Sequence, residues 1–193
     1  MKSICVFCGS GVGVDPAFAD SAKKLARIIV ERNLTLVYGG GSIGLMGILA
    51  DEVLSGGGRV IGIIPQFLYD LEVGHKGLTE LIIVKSMHQR KEKMAEMADA
   101  FVAMPGGFGT LDEMAEILTW IQLKIIRKPF ALLNINGFFN AFILQLDHMV
   151  EESLLHPENR KILLTSDDPL KVIALLMEAN PFRSAQFIHR HNI

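Results

Sequence analysis

The chain has 193 residues, 50% of them hydrophobic and 21% charged, with 19 basic side chains against 21 acidic ones and a net charge of −2. Those proportions describe one core-rich globular domain, with no room for extensive disorder or a second domain. Phosphate-driven nucleic-acid binding needs a broad basic surface that this balance does not supply, so any bound anion is expected to be small.

Mean hydropathy is +0.34, and the longest charge-free stretch, residues 129–146, approaches the length of a membrane span. Asn134, Asn136, Gly137 and Asn140 break it into a buried strand, a turn and a helix. Burying those amides in lipid without partners would cost on the order of several kcal/mol, so no membrane partner is expected. Two cysteines rule out a disulfide framework, and the apolar run from Ile4 to Cys8 is too short for a secretory signal. Both point to a reduced, cytoplasmic protein.

Short apolar runs alternate with helical patterns, which predicts an α/β domain with a parallel sheet and helices on both faces. A strand over residues 3–8 opens the chain. Asp15-Pro16 then supplies a cap and a first-turn proline for a helix on which Phe18, Ala22, Leu25, Ala26 and Ile29 recur, closed by Asn33 in a left-handed turn. A strand over 35–38 and a helix over 43–54 follow, the helix stopping at Gly56-Gly57-Gly58. After a strand over 59–64 comes the one long connection, 65–79, and a loop of that length in a small domain is usually functional. The remaining strands are expected over 81–85, 100–104, 130–134 and, late in the chain, near 162–165, giving six to seven in all; most are too apolar to have a wet face. Helices fit 87–98, the residues after the glycine-rich 105–110, 138–151 and 169–178. The domain is expected to span 1–180, with an uninformative tail over 181–193.

In an open parallel sheet ligands bind beyond the carboxyl ends of the strands. Three of those ends are rich in glycine: Cys8-Gly9-Ser10-Gly11, Gly39-Gly40-Gly41-Ser42-Ile43-Gly44 and Pro105-Gly106-Gly107-Phe108-Gly109-Thr110. Glycine lets the backbone approach an anion, and the free N–H groups and dipole of a helix N-terminus attract it, so together the turns suggest a phosphate cradle. The second turn matches G-x-G-x-x-G, but no acidic residue closes the next strand at Ile63-Ile64-Pro65 to hold an adenosine ribose, and no Gly-Lys-Ser/Thr is present. A mononucleotide or sugar phosphate fits better than a dinucleotide.

Arg90 shares a three-and-four stripe with Met87, Met94 and Met97, and an inward arginine needs an anion. The alternative is a stem lying along the core with its guanidinium in water, in a basic stretch with Lys85, Lys91 and Lys93. Glu113 also has two readings. Thr110-Leu111-Asp112-Glu113 is a capping box, yet the same placement sets a carboxylate beside the proposed phosphate site, where it needs a cation such as Arg90 and a task. Glu72, in the long connection, can accept hydrogen bonds from sugar hydroxyls or be a surface charge. Cys5-Val6-Phe7-Cys8 lies within a strand without a second pair, and the six histidines show no ligand spacing, so neither metal nor redox chemistry is expected.

Three segments carry a family resemblance: Gly39-Gly40-Gly41-Ser42-Ile43-Gly44-Leu45-Met46-Gly47, Ser86-Met87-His88-Gln89-Arg90-Lys91, and Pro105-Gly106-Gly107-Phe108-Gly109-Thr110-Leu111-Asp112-Glu113. They closely resemble the Lonely Guy (LOG) family, and the likeness runs from about Lys2 to Leu176, through Thr119-Trp120-Ile121-Gln122-Leu123 and Leu132-Leu133-Asn134. Members are cytokinin riboside 5'-monophosphate phosphoribohydrolases, formerly labelled lysine decarboxylases.

The resemblance implies a Rossmann-like, doubly wound fold, a homodimer, and hydrolysis of the N-glycosidic bond of N6-substituted adenosine 5'-monophosphates, with AMP itself a further substrate, without metal or organic cofactor. It implies Arg90 and Glu113 as catalytic residues. Glu72, Lys91 and Gly106, Gly107, Phe108, Gly109, Thr110, Leu111 and Asp112 fall on its nucleotide-binding positions. Ser10, Gly41, Gly44 and Met87 complete the expected substrate site, from the glycine turns and the Arg90 stripe. Lys124-Ile125-Ile126-Arg127-Lys128-Pro129 replaces the family's Gly-Ile-His pattern before Lys-Pro, and Gly11 stands where a second serine is common. The competing reading is a non-enzymatic carrier of a nucleotide or pterin phosphate, which gains little from a carboxylate beside its anion.

Overall fold

Among the described residues seven strands form one sheet: β1 (Ser3–Phe7), β2 (Thr35–Tyr38), β3 (Val60–Pro65), β4 (Glu80–Val84), β5 (Ala100–Ala103), β6 (Phe130–Leu133) and β7 (Leu163–Ser166). Their order is β4-β3-β2-β1-β5-β6-β7, and every pairing is parallel. The computed structural model describes residues 1–179 except the side chains of Glu72 and Val73. The tail expected over 181–193 lies outside the described residues.

Alternation along the strands feeds two apolar layers. Ile4 and Val6 of β1 enter the layer under α1 (Pro16–Glu31), α2 (Gly44–Ser55) and α8 (Pro169–Glu178), while Cys5 and Phe7 enter the one under α4 (Met87–Met97), α5 (Phe108–Gln122) and α6 (Asn140–Glu151). In the second layer the rings of Phe7, Phe101 and Phe130 stack across neighbouring strands at centroid distances of 6.0 and 6.4 Å. Each such side chain contributes about 1.5–3 kcal/mol on burial, which is why the central strands read as unbroken apolar runs. At the edge, β4 departs from that pattern. Among the described residues it has a single neighbour strand, no residue of it is fully buried, and Ile83 is exposed.

Helix ends follow local chemistry. Asp15 Oδ1 accepts from Ala17 N–H at the start of α1, and Asn33, at φ 52°, ends it as expected. There the amides of Asn33 and Leu34 donate back to the carbonyls of Val30 and Ile29. The same closure ends α5, where the amides of Lys124 and Ile125 donate to Ile121 and Trp120. Lys124 takes the left-handed position at φ 59°. Lys128, in the same divergent segment, donates from Nζ to the carbonyls of Ala95 and Glu96 and so caps the negative end of α4.

Three local features were not legible beforehand. The long connection contains α3 (Gln66–Leu68) and a π-helical turn, Tyr69–Val73, then pairs back through a Gly41–Gly74 bridge and a bond from His75 N–H to Gly40 O. His75 Nδ1 accepts from Gly77 N–H and Nε2 lies 2.9 Å from Asp51 on α2, so one ring fastens this connection at both sides. α7 (Pro157–Arg160) is capped by His156 Nδ1, a side chain that does not announce a helix start. α6 begins at Asn140, because a 3₁₀ turn at Ile135–Gly137 with left-handed Asn136 and Gly137 intervenes.

A left-handed lysine costs more than a left-handed glycine. Lys124→Gly is expected to stabilise the fold by about 0.5–1 kcal/mol, read as a higher urea midpoint at unchanged slope.

Candidate active site

The strand order reverses between β1 and β5, and their carboxyl ends open a crevice. Gly9 N–H donates to Pro105 O at 3.0 Å and Met104 N–H to Phe7 O at 2.8 Å, joining the first and third glycine turns. The second turn is pinned from below by Tyr38, whose buried hydroxyl donates to Gly41 O at 3.1 Å. Gly44, left-handed at φ 64°, lies on the Ser10 backbone, where an added Cβ would come within 2.2 Å. Between these turns lies a cleft of about 420 Å³.

One wall of the cleft is the N-terminus of α5. Gly107 is its N-cap in an extended conformation, no side chain caps the turn, and Leu111 N–H to Gly107 O begins the helical bonding. The amides of Phe108, Gly109 and Thr110 precede that first bond, and with the helix dipole they offer an anion site. The capping box expected at Thr110 and Glu113 does not form. The chain enters the helix three residues earlier, at Gly107, so Thr110 is an internal, buried residue and Glu113 turns toward α4.

There it meets Arg90. The N-cap of α4 is Ser86, whose Oγ accepts from Gln89 N–H while Gln89 Oε1 accepts from Lys85 N–H. This start places Arg90 on the inner face with Met94 and Ala95. Arg90 is 8% exposed and Glu113 5%, with Arg90 Nη1 3.0 Å from Glu113 Oε1. Arg90 Nε donates to Ile63 O at 3.1 Å. Gly39 makes this possible, because a Cβ there would lie 1.8 Å from Arg90 Nη2. The snorkelling reading of Arg90 is thereby excluded.

Burial pushes the Glu113 carboxyl up to about 7; Arg90 opposes this, Asp112 adds to it and Lys91 opposes it. Burial also holds the thiol of Cys8, on the cleft wall, far above its ordinary range, so it is not a nucleophile at neutral pH. Among the described residues no group of three or more His, Cys, Asp or Glu side chains is placed to hold a metal ion, and no helix is long and apolar enough to cross a membrane.

The cleft gathers Ser10, Gly41, Met87, Arg90, Gly107, Phe108, Gly109, Thr110 and Glu113. Gly106 lines an adjoining cavity of about 320 Å³, which shares Gly9, Ser10 and Gly107. Gly44 supports Ser10 from behind. Lys91, Leu111 and Asp112 are not on the cleft wall: Lys91 pairs with Asp112 and Glu116, and Leu111 is exposed. Glu72 belongs to the π-helical turn, and its side chain lies outside the described residues. The wall also includes Gly39, Ile43, Met46, Ile64 and Leu68. The position of Gly39 directly after β2 could have flagged it; the four apolar residues look like core in any sequence.

Gly39→Ala forces Arg90 out of its place and is expected to destabilise the fold by about 1–3 kcal/mol, measured by urea unfolding.

A family model described as "Possible lysine decarboxylase" matches residues 46–176. The cytokinin riboside 5'-monophosphate phosphoribohydrolase LOG7 of Arabidopsis thaliana is 44% identical over 180 residues, covering 93% of this chain and 83% of that protein. The phosphoribohydrolase LOG of Oryza sativa subsp. japonica is 43% identical over 180 residues, covering 93% and 74%. Among solved structures, a Moco carrier protein from Chlamydomonas reinhardtii superposes with a TM-score of 0.69 at 21% identity, covering 92% of this chain and 96% of that one. A molybdenum cofactor binding protein from Rippkaea orientalis gives 0.68 at 22% identity, covering 92% and 96%. At such identities the structural likeness speaks for the fold alone, whereas identity above 40% along nearly the whole chain speaks for kinship: the chain belongs to the LOG family, that of the cytokinin riboside 5'-monophosphate phosphoribohydrolases.

Proposed function

We propose that this chain hydrolyses the N-glycosidic bond of N6-substituted adenosine 5'-monophosphates, and of AMP, to the free base and ribose 5-phosphate. The observation that carries the reading is that a buried carboxylate–guanidinium pair and an uncapped helix N-terminus line one cleft. The sequence relatives, named as enzymes of this activity, support it. The likeness to the carriers speaks for the fold alone, and a carrier gains little from Glu113 beside its anion.

The 5'-phosphate binds the amides of Phe108, Gly109 and Thr110, so that remote binding energy aligns the ribose. As the C1'–N9 bond lengthens, its electron pair leaves with the purine and positive charge spreads over the ribose ring. The Glu113 carboxylate stabilises that charge, orients a water at C1' and takes its proton as the new C1'–O bond forms. The departing purine takes up a proton from solvent and Glu113 gives up the one it accepted, so water is the only species consumed besides the nucleotide. Arg90 has Nε bound to Ile63 and Nη1 to Glu113, which favours a role in holding Glu113 ionised and aimed over one as phosphate anchor. Ser10, Gly41 and Met87 face the ribose and base, and Glu72, Gly106 and Leu111 are carried as binding residues on the family pattern. The reaction needs no metal and no organic cofactor.

We also infer a homodimer and a cytoplasmic setting. An apolar groove of about 370 Å³ with Ala95, Trp120, Ile125 and Ile126 in its walls supports the first, and two free cysteines support the second.

Purified protein incubated with AMP and with isopentenyl-AMP is expected to release free base and ribose 5-phosphate, separated by chromatography. Glu113→Gln is expected to lose about 10²–10⁴-fold in kcat while still binding a phosphate ligand; equal loss of both would sink the assignment. Because Glu113 is protonated below about pH 7, kcat/KM should fall about tenfold per unit below that value and level off above it.

A further inference from the structure

The second glycine turn and the long connection after β3 meet at His75. Gly74 pairs with Gly41 in an antiparallel bridge, and the His75 amide donates to Gly40 O at 2.9 Å. Gly41 lines the cleft, and so does Leu68 of α3, earlier in the same connection. α2 contributes to the same wall through Met46 and its N-cap Ile43. The His75 ring ties these two parts of the wall together. Its Nε2 is 2.9 Å from Asp51 Oδ1 on α2, and its Nδ1 is 3.0 Å from the Gly77 amide nitrogen. The ring is 11% exposed and Asp51 70%.

The partners fix the tautomer. A backbone N–H only donates, so the Nδ1 that accepts from Gly77 carries no proton, and the ring proton sits on Nε2, which donates to Asp51. A neutral ring therefore makes both bonds at once. The part of the connection that reaches the cleft has little else to hold it. No residue of α3 is buried, and Phe67 and Leu71 are exposed. At the other end of the connection, Thr79 Oγ1 accepts from Val60 N–H.

We propose that His75, as its neutral Nε2–H tautomer, is a positioning residue: by fastening the 65–79 connection to Asp51 of α2, it holds Leu68 and the Gly40-Gly41 turn where the nucleotide binds. The proposal rests on the reading of the cleft as the nucleotide site. Substrate binds the seated form of the connection, so apparent affinity scales with the fraction of molecules in which it is seated. Saturating substrate restores that form, and kcat with it. A side chain that only stabilised the fold would do the reverse, lowering the amount of active protein at an unchanged KM.

The test combines turnover of isopentenyl-AMP with two measurements that need no turnover. Asp51 is exposed on a helix, where alanine is well tolerated. Asp51→Ala is expected to raise KM about two- to fivefold at unchanged kcat. Asp51→Asn, whose amide oxygen still accepts from Nε2–H, is expected to restore the wild-type KM. His75→Asn keeps an acceptor for the Gly77 amide, as in an Asx turn, but is too short to reach Asp51. It is expected to raise KM as Asp51→Ala does, and the double variant to add nothing further. In ¹⁵N spectra at mildly alkaline pH the His75 ring, assigned by its loss in His75→Asn, is expected to carry its proton on Nε2. The His75 amide is expected to exchange its hydrogen about two- to fivefold faster in Asp51→Ala. A proton on Nδ1, an unchanged exchange rate, or an unchanged KM in Asp51→Ala would each overturn the proposal. A chain that cleaves no nucleotide would end the functional reading, while the ring spectrum and the exchange rate still judge the fastening of the connection.

Discussion

The contact between Arg90 and Glu113 is the constraint around which the site is arranged. Two full charges, both more than nine-tenths buried, sit in a layer otherwise made of Cys5, Phe7, Met94 and Met114. Taking charges out of water costs more than a single ion pair returns, and removing one partner of such a pair typically costs about 3–5 kcal/mol. The surrounding structure offsets that cost piece by piece. The Ile63 carbonyl accepts from the guanidinium, Gly39 omits the side chain that would displace it, and the Ser86–Gln89 cap sets the helix on which Arg90 stands. Glu113, left half-compensated, is the group that carries the strain as a raised proton affinity.

That arrangement is only available at this place in the sheet. Reversal of the strand order between β1 and β5 leaves a gap that no crossover helix covers. Gly9 and Pro105 bind its two lips together, and the uncapped start of α5 lines it. The positive end of a helix and a buried carboxylate thus share one cleft, attracting an anion at one point and stabilising a cation at another. A nucleoside monophosphate whose ribose becomes cationic as it reacts has both features.

The sequence exposed the architecture because seven apolar runs, each bounded by a cap or a glycine, leave little choice of fold. All seven strands lie within a residue or two of where periodicity places them. Asn33 could be read as a helix stop because few residues other than glycine tolerate that conformation. The failures have physical causes. Thr110-x-x-Glu113 has the spacing of a capping box, yet Gly107 opens the helix earlier, and spacing alone does not say which residue is first. Lys91 stands beside Arg90 in a motif, and both pair with carboxylates of α5, but only Arg90 lines the cleft, a difference of one step in rotation that a linear pattern does not register. His156 caps a helix without being a usual cap, and β4 is wet because it is at an edge, which depends on topology rather than on its own residues.

The place of β1 in the sheet has a consequence for how the molecule is assembled. β1 is flanked by β2, whose pairing closes a loop of about 30 residues, and by β5, whose pairing closes one of nearly 100. As the chain leaves the ribosome, β1 to β3 can associate early, and Arg90 emerges before Glu113. Until β5 docks on β1 and carries α5 in behind it, the guanidinium has no carboxylate to meet and is better off in water. The cleft therefore closes around its two charges only when the longest-range pairing in the centre of the sheet is made.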